Sequence, residues 1–173
     1  MMQLSPLSAI SPIDGRYHRA TAGLTGYFSE YALIKYRLQV EVEYFIMLGE
    51  KKFFKLSARL SNQLRDLVTG FSEADAQTIK NTEAITNHDV KAVEYFLKAK
   101  LDELGADALK EWVHFGLTSQ DINNTAVPML WKDAVELEYL PAILTLQQHI
   151  YKLATAWDKV PMLARTHGQA ASP

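Results

Sequence analysis

Between Val90 and Leu104 the apolar residues Val90, Val93, Leu97, Leu101 and Leu104 recur at steps of three and four. That spacing lines them up on one stripe of an α-helix, and no strand can use it. Thr86 and Asp89, three residues apart, form a capping signature ahead of the stripe, and Gly105 supplies a stop. A chain built from such segments must bury helix against helix.

The same period runs along most of the sequence. Tyr31, Ile34, Leu38, Val42, Phe45 and Ile46 predict one helix from Tyr27 to Leu48, stopped by Gly49. Ser57 is placed to cap a second helix with inner face Leu60, Leu64, Leu67 and Val68, ending at Gly70, and Ser72 with Asp75 reads as a capping box for a third. A short helix is expected from Asp107 to Phe115. Thr118 with Asp121 then open a pattern running toward Glu138, with Pro128 as a kink or local break. Pro141 suits the first turn of a last helix carrying Ile143, Leu144, Leu146, Ile150, Leu153 and Trp157, which should end before Val160 and Pro161; Pro161 to Ala171 reads as a loop. Alternating patterns are almost absent, and the only short apolar runs that suit strands lie near Ile10 and Met162. The expected fold class is all-α, with a first domain over residues 1–116 and a second over 117–173 beginning after the turn at Gly116.

With 173 residues, 48% of them hydrophobic, the chain has enough material for a core, since a chain of about 150 residues hides roughly 68–70% of its unfolded surface. The formal charge of −2 provides no long-range field for nucleic acid or an anionic membrane. There is no cysteine, so disulfides and thiolate metal sites are excluded, and the five histidines lack zinc-site spacing. No basic stretch precedes a long apolar run, and no window supplies about 18 apolar residues for a membrane span. The expectation is a soluble, cytoplasmic protein with no nucleic-acid or membrane partner.

Four polar segments sit at helix edges or in loops, where a rigid scaffold displays functional groups. In Ser11 to Tyr17, Pro12 and Asp14-Gly15 make a turn that leaves Arg16 and Tyr17 projecting, suited to a phosphate or carboxylate. In Thr86-Asn87-His88-Asp89, His88 falls in a first helical turn, where a neutral imidazole donating to an anion is favoured over a protonated one. Thr118 and Ser119 put hydroxyls beside another helix N-terminus, and Asn123 and Asn124 behind them point to a polar pocket. Arg165-Thr166-His167-Gly168-Gln169 gathers donors around a histidine that titrates near neutral pH. Each segment also has a plain reading as a cap or turn. His18, His114 and His149 read as packing or solvent-facing.

In this order the four segments resemble the adenylosuccinate lyases of the bacterial branch, a family of the fumarase/aspartase superfamily. The matching strings are Ser11 to Tyr17, Thr86 to Tyr95, Thr118 to Asn124 and Arg165 to Gln169, in register across nearly the whole chain. Gln120 stands where relatives commonly have Glu, and Ala170 where proline is common.

The resemblance implies a helical N-terminal domain followed by the first helices of a long bundle, in an enzyme that eliminates fumarate from adenylosuccinate to leave AMP. The same family cleaves succinylaminoimidazole carboxamide ribotide to aminoimidazole carboxamide ribotide. It implies substrate binding by Arg16 and Tyr17, including the phosphate; by Asn87, His88 and Asp89; by Thr118 and Ser119 at the succinyl carboxylates; and by Thr166 and Gln169. His167 is the implied general acid, and no metal or cofactor is implied. Family members are homotetramers and continue through a bundle and a Ser-Ser-x-Met-Pro-x-Lys-x-Asn loop bearing the base, so the chain to Pro173 is expected to be an inactive N-terminal part whose last helices expose apolar faces. The competing readings are another fumarate-releasing lyase, such as argininosuccinate lyase, and a non-catalytic helical binding or assembly module.

Overall fold

The computed structural model describes residues 11–171. Two compact units divide between Ala134 and Val135. The regular elements among the first unit's described residues are all helical. It begins with a short α1 (His18–Thr21), a 3₁₀ turn (Ala22–Leu24) and α2 (Thr25–Phe28), followed by α3 (Glu30–Glu50), α4 (Ala58–Thr69), α5 (Glu73–Thr86) and α6 (Asp89–Glu103). A second 3₁₀ turn (Asp107–Trp112) leads to α7 (Ser119–Ala134).

Helix α3 is the axis of this unit. Its Ile34, Leu38, Val42 and Phe45 meet Leu64 of α4, Ile79 of α5, and Val93, Leu97 and Leu101 of α6 in one buried cluster. On another side, Tyr36 of α3 packs with Ala126 and Leu130 of α7, and its hydroxyl donates to Asp133 at 2.6 Å. That packing carries the unit past Gly116, the boundary expected from sequence, to Ala134. A turn glycine marks a change of direction, whereas a domain boundary requires that the following helix bury its apolar stripe elsewhere.

Several expected helix ends are present. Ser57 caps α4 by accepting from the Leu60 N–H, and Ser72 and Asp75 form a reciprocal capping box on α5. Other ends differ. The helix expected from Tyr27 is interrupted at Ser29, which is extended (φ −86°, ψ 163°) and whose hydroxyl accepts from the Ala32 N–H while donating to the Thr25 carbonyl. Gly49 does not end α3. It lies within the last turn, where a Cβ would come 2.6 Å from the Cβ of Leu56, so the position needs a glycine for space and not for a stop. The expected helix from Asp107 is a 3₁₀ turn that stops at Trp112, and α7 passes through Pro128 without a break.

The second unit holds a π-helical segment (Val135–Tyr139), α8 (Leu140–Trp157) and a two-stranded antiparallel ribbon, β1 (Arg165–Thr166) and β2 (Gln169–Ala170). The π segment lies where Pro141 has no N–H to offer the Leu137 carbonyl, so the departure from α geometry expected at Pro128 occurs beside the other proline. No residue of α8 is buried, and Leu140, Ile143, Leu144, Leu146 and Ile150 are all exposed. The ribbon replaces part of the loop expected from Pro161 to Ala171. No strand forms at Met162, and Ile10 lies outside the described residues. Among the described residues this ribbon is the only sheet, so the all-α class holds.

Candidate functional site

The sequence Thr86-Asn87-His88-Asp89 folds as a hinge between two helices. Asn87 adopts the left-handed conformation (φ 51°) and ends α5, an arrangement that asparagine tolerates better than most residues. The Thr86 hydroxyl bonds back to the Thr82 carbonyl, so Thr86 and Asp89 do not form the expected capping pair. His88 itself is the N-cap of α6, and its Nδ1 accepts from the Lys91 N–H at 3.2 Å. An accepting Nδ1 carries no proton. The bond therefore assigns the neutral tautomer with hydrogen on Nε2, the form expected for a donor at this position.

The Nε2 of His88 lies 3.3 Å from the Oγ of Ser119, the first residue of α7. If Nε2 donates, the serine hydroxyl keeps its own proton for a ligand. Beside it, Thr118 donates from both its N–H and its hydroxyl to Asp121 Oδ2, at 2.7 and 2.9 Å, which holds the Asp121 carboxyl below its usual range. The expected capping signature is thus real, and it commits the Thr118 hydroxyl to the helix. Thr86, His88, Tyr95, His114, Thr118 and Ser119 line an open cleft of about 660 Å³ into which the start of α7 faces.

Behind this cleft stands a group of buried titratable side chains. Glu41 of α3 is fully buried, and one of its oxygens lies 2.5 Å from His114 Nδ1. The other oxygen has no hydrogen-bond partner. His114 Nε2 is 3.7 Å from Glu94, which is bound by Lys91 at 2.7 Å. Burial pushes the Glu41 carboxyl up, and the bond to His114 opposes that rise without cancelling it. The sequence predicts a packing or solvent-facing histidine at 114, yet its backbone is left-handed (φ 59°) and its ring is clamped between two carboxylates. No local pattern pairs it with residues on α3 and α6.

The remaining expected residues are dispersed. Gly15 N–H and Tyr17 N–H close the turn onto the Ser11 and Pro12 carbonyls, and Arg16 and Tyr17 project from it as expected, the guanidinium 5.0 Å from the tyrosine ring centre. Neither lines the His88 cleft. Asn87 opens onto a neighbouring hollow of about 470 Å³ together with Lys80 and Glu83. Asp89 turns one oxygen to its own helix, accepting from Val90 N–H, and the other to Arg37 at 2.7 Å. Burial raises its carboxyl, but the N–H and the guanidinium outweigh that and hold it low. In the second unit His167 and Gly168 form the tip of the ribbon with φ of 49° and 78°. Two positive φ values in a two-residue connection are the condition for a tight hairpin turn, so Gly168 serves the turn as well as any ligand. Thr166 and Gln169 are directly paired across it, and His167 is exposed. Among the described residues no group of three or more His, Asp or Glu is arranged to hold a metal ion, and no helix is long and apolar enough to cross a membrane.

The family model described as "Lyase" matches residues 15–173. Similar curated proteins include the adenylosuccinate lyase of Dictyostelium discoideum, 49% identical over 180 residues, and those of Escherichia coli K12, at 45%, and Vibrio cholerae, at 44%, both over 177 residues. Each alignment covers 99% of this chain and 39% of the relative, so the chain spans well under half the length of the relatives it matches. The helical architecture agrees with the fumarase/aspartase fold of that family, and the chain belongs to it: a lyase-family sequence whose relatives are adenylosuccinate lyases.

Proposed function

We propose that the chain is the N-terminal part of an adenylosuccinate lyase, supplying the carboxylate-binding half of a site that releases fumarate from adenylosuccinate to leave AMP. The observation that carries this reading is the His88–Ser119 pair, which joins the N-termini of two helices at one open cleft. Two positive helix ends, a neutral imidazole donor and a serine hydroxyl suit a dianionic succinyl group.

The reaction explains the need for such donors. Removing a proton next to a carboxylate puts further charge on an already anionic group, and fixed donors aimed at that carboxylate stabilise it. The electron pair left on carbon forms the double bond of fumarate as the C–N bond breaks, and the departing purine amine takes a proton. His167 is the proposed donor of that proton. Arg16 and Tyr17 are proposed to hold the substrate phosphate, with Asn87, Asp89, Thr118, Thr166 and Gln169 completing the binding surface. The same chemistry extends to succinylaminoimidazole carboxamide ribotide, placing the enzyme twice in purine biosynthesis, toward IMP and toward AMP. The proposed assembly is a homotetramer in the cytoplasm, with no metal or cofactor, and the apolar face of α8 is consistent with burial in a larger bundle.

The deciding experiment measures fumarate release from both substrates by the whole gene product and by the chain ending at Pro173. Release by the former and none by the latter is expected. No release by a folded whole gene product sinks the reading, and release by the shorter chain overturns the claim that the base lies elsewhere.

A further inference from the structure

Arg37, two turns into α3, is 6% exposed, and a charged side chain so buried is seldom found without partners. Its Nη2 lies 2.7 Å from Asp89 Oδ2 and its Nε donates to Asn123 Oδ1 at 2.9 Å. Asp89 is the first residue of α6 and follows His88, the cap of that helix. Asn123 lies one turn into α7, on the helix that Ser119 begins. One guanidinium therefore ties together the two helices whose starts carry the His88–Ser119 pair.

We propose that Arg37 is a positioning residue for the substrate cleft, its planar fork fixing the separation of the α6 and α7 N-termini and so holding Ser119 Oγ within reach of His88 Nε2. The inference rests on the reading of the cleft as the succinyl-binding half of the site. The residue types fit the task. A guanidinium presents donors in fixed directions and can serve two acceptors at once from a buried position, which the single ammonium of a lysine cannot do in the same geometry. The Val90 N–H and Arg37 hold the Asp89 carboxyl low, and its side chain is 44% exposed, so loss of Arg37 leaves it able to reach water. The fold is then expected to survive the change while the pair drifts. Because Arg37 reaches the cleft only through Asp89 and Asn123, its removal should act through Ser119 and His88 and not by itself.

The test uses the whole gene product with Arg37→Lys, Ser119→Ala and the double variant, together with the crystal structure and thermal midpoint of Arg37→Lys. The expected result is a kcat at least about tenfold lower with KM little changed, because misplacement of donors is felt most where charge develops. In the Ser119→Ala background the same change should lower kcat by less than about twofold, the non-additivity expected of a residue that acts through another. The His88–Ser119 separation should exceed hydrogen-bond reach in the variant while the thermal midpoint stays near that of the parent. An unchanged kcat and separation overturn the proposal, as does an equal loss in both backgrounds, which would mean Arg37 acts elsewhere. A kcat loss that tracks a loss of folded protein also overturns it. If the parent protein releases no fumarate, the reading of the cleft has failed, and the crystallographic separation alone decides whether Arg37 positions the pair.

Discussion

The Nε2 of His88 and the Oγ of Ser119 stand 3.3 Å apart across 31 residues of chain, each at the start of a different helix. His88 does two jobs with its two nitrogens. Nδ1 closes α6 on the Lys91 N–H, and Nε2 faces the cleft. The cap fixes the tautomer, and the tautomer decides that the cleft is met by a donor.

Two substitutions separate those jobs. His88→Ala removes the cap and should cost about 1 kcal/mol, whereas His88→Asn restores an oxygen cap and should fold with near-parental stability. Both lose the Nε2 donor, so both should lower kcat in the whole gene product by about 10²-fold or more. Urea denaturation and steady-state kinetics on the same preparations check the contrast, and a fully active His88→Asn would remove His88 from the reaction.

Glu41 gives a pH dependence with a defined sign. Its folded carboxyl is raised above the ordinary value of 4.5, so the folded state binds more protons there than the unfolded state as pH rises past 4.5. Its contribution to stability is fully present below that value and fades as pH rises through the raised folded value. Glu41→Gln should therefore flatten the fall in stability above about pH 4.5 relative to the parent. Denaturant midpoints across that range test it, and parallel curves would show that Glu41 does not titrate as argued.

Gly49 is held by Leu56. A Cβ there would come 2.6 Å from Leu56 Cβ, at the base of that side chain, as well as 2.6 Å from its Cδ2, so a change of rotamer at Leu56 cannot clear the clash. Gly49→Ala, normally favourable in a helix by about 0.5–1 kcal/mol, should instead destabilise by about 1–3 kcal/mol. Thermal or chemical denaturation reads the sign directly.

Ser72 and Asp75 hold the start of α5 from the surface, away from the cleft. Ser72→Ala should lower stability by about 1 kcal/mol and leave kcat and KM of the whole gene product unchanged. A change in KM would show that the helix start reaches the substrate.

His167 and Arg16 should fail in different ways. Loss of a general acid typically costs about 10²–10⁴-fold in rate, so His167→Ala should lower kcat far more than it changes KM. Arg16→Ala should chiefly raise KM, because a charge-assisted phosphate contact is made in ground and transition states alike. Kinetics near neutral pH, with circular dichroism to confirm folding, compare them. A His167→Ala variant with near-normal kcat would shift the acid to another residue, with His88 next in line.

What the sequence settled by itself was local. The three-and-four spacing from Val90 to Leu104, the serines at 57 and 72 and the Thr118–Asp121 pair act within a few residues, so helix class and several helix starts could be read directly. The strings around His88, Ser119 and His167 likewise pointed to polar helix edges and to the lyase family. The capping role of His88 escaped because Thr86 and Asp89 matched a commoner pattern, and only the fold shows Thr86 bonding back into α5 and Asp89 bonding Arg37. Arg37, Glu41 and His114 escaped for a different reason. A charged residue inside an amphipathic stripe looks like a solvent-facing position until a second helix covers it, and the partners lie 52 residues away for Arg37 and Asp89, 86 for Arg37 and Asn123, 73 for Glu41 and His114, and 20 for Glu94 and His114. Burial turned those charges into the frame of the cleft, because in a low-dielectric interior each must find a partner, and the partners available belong to helices that only tertiary packing brings together.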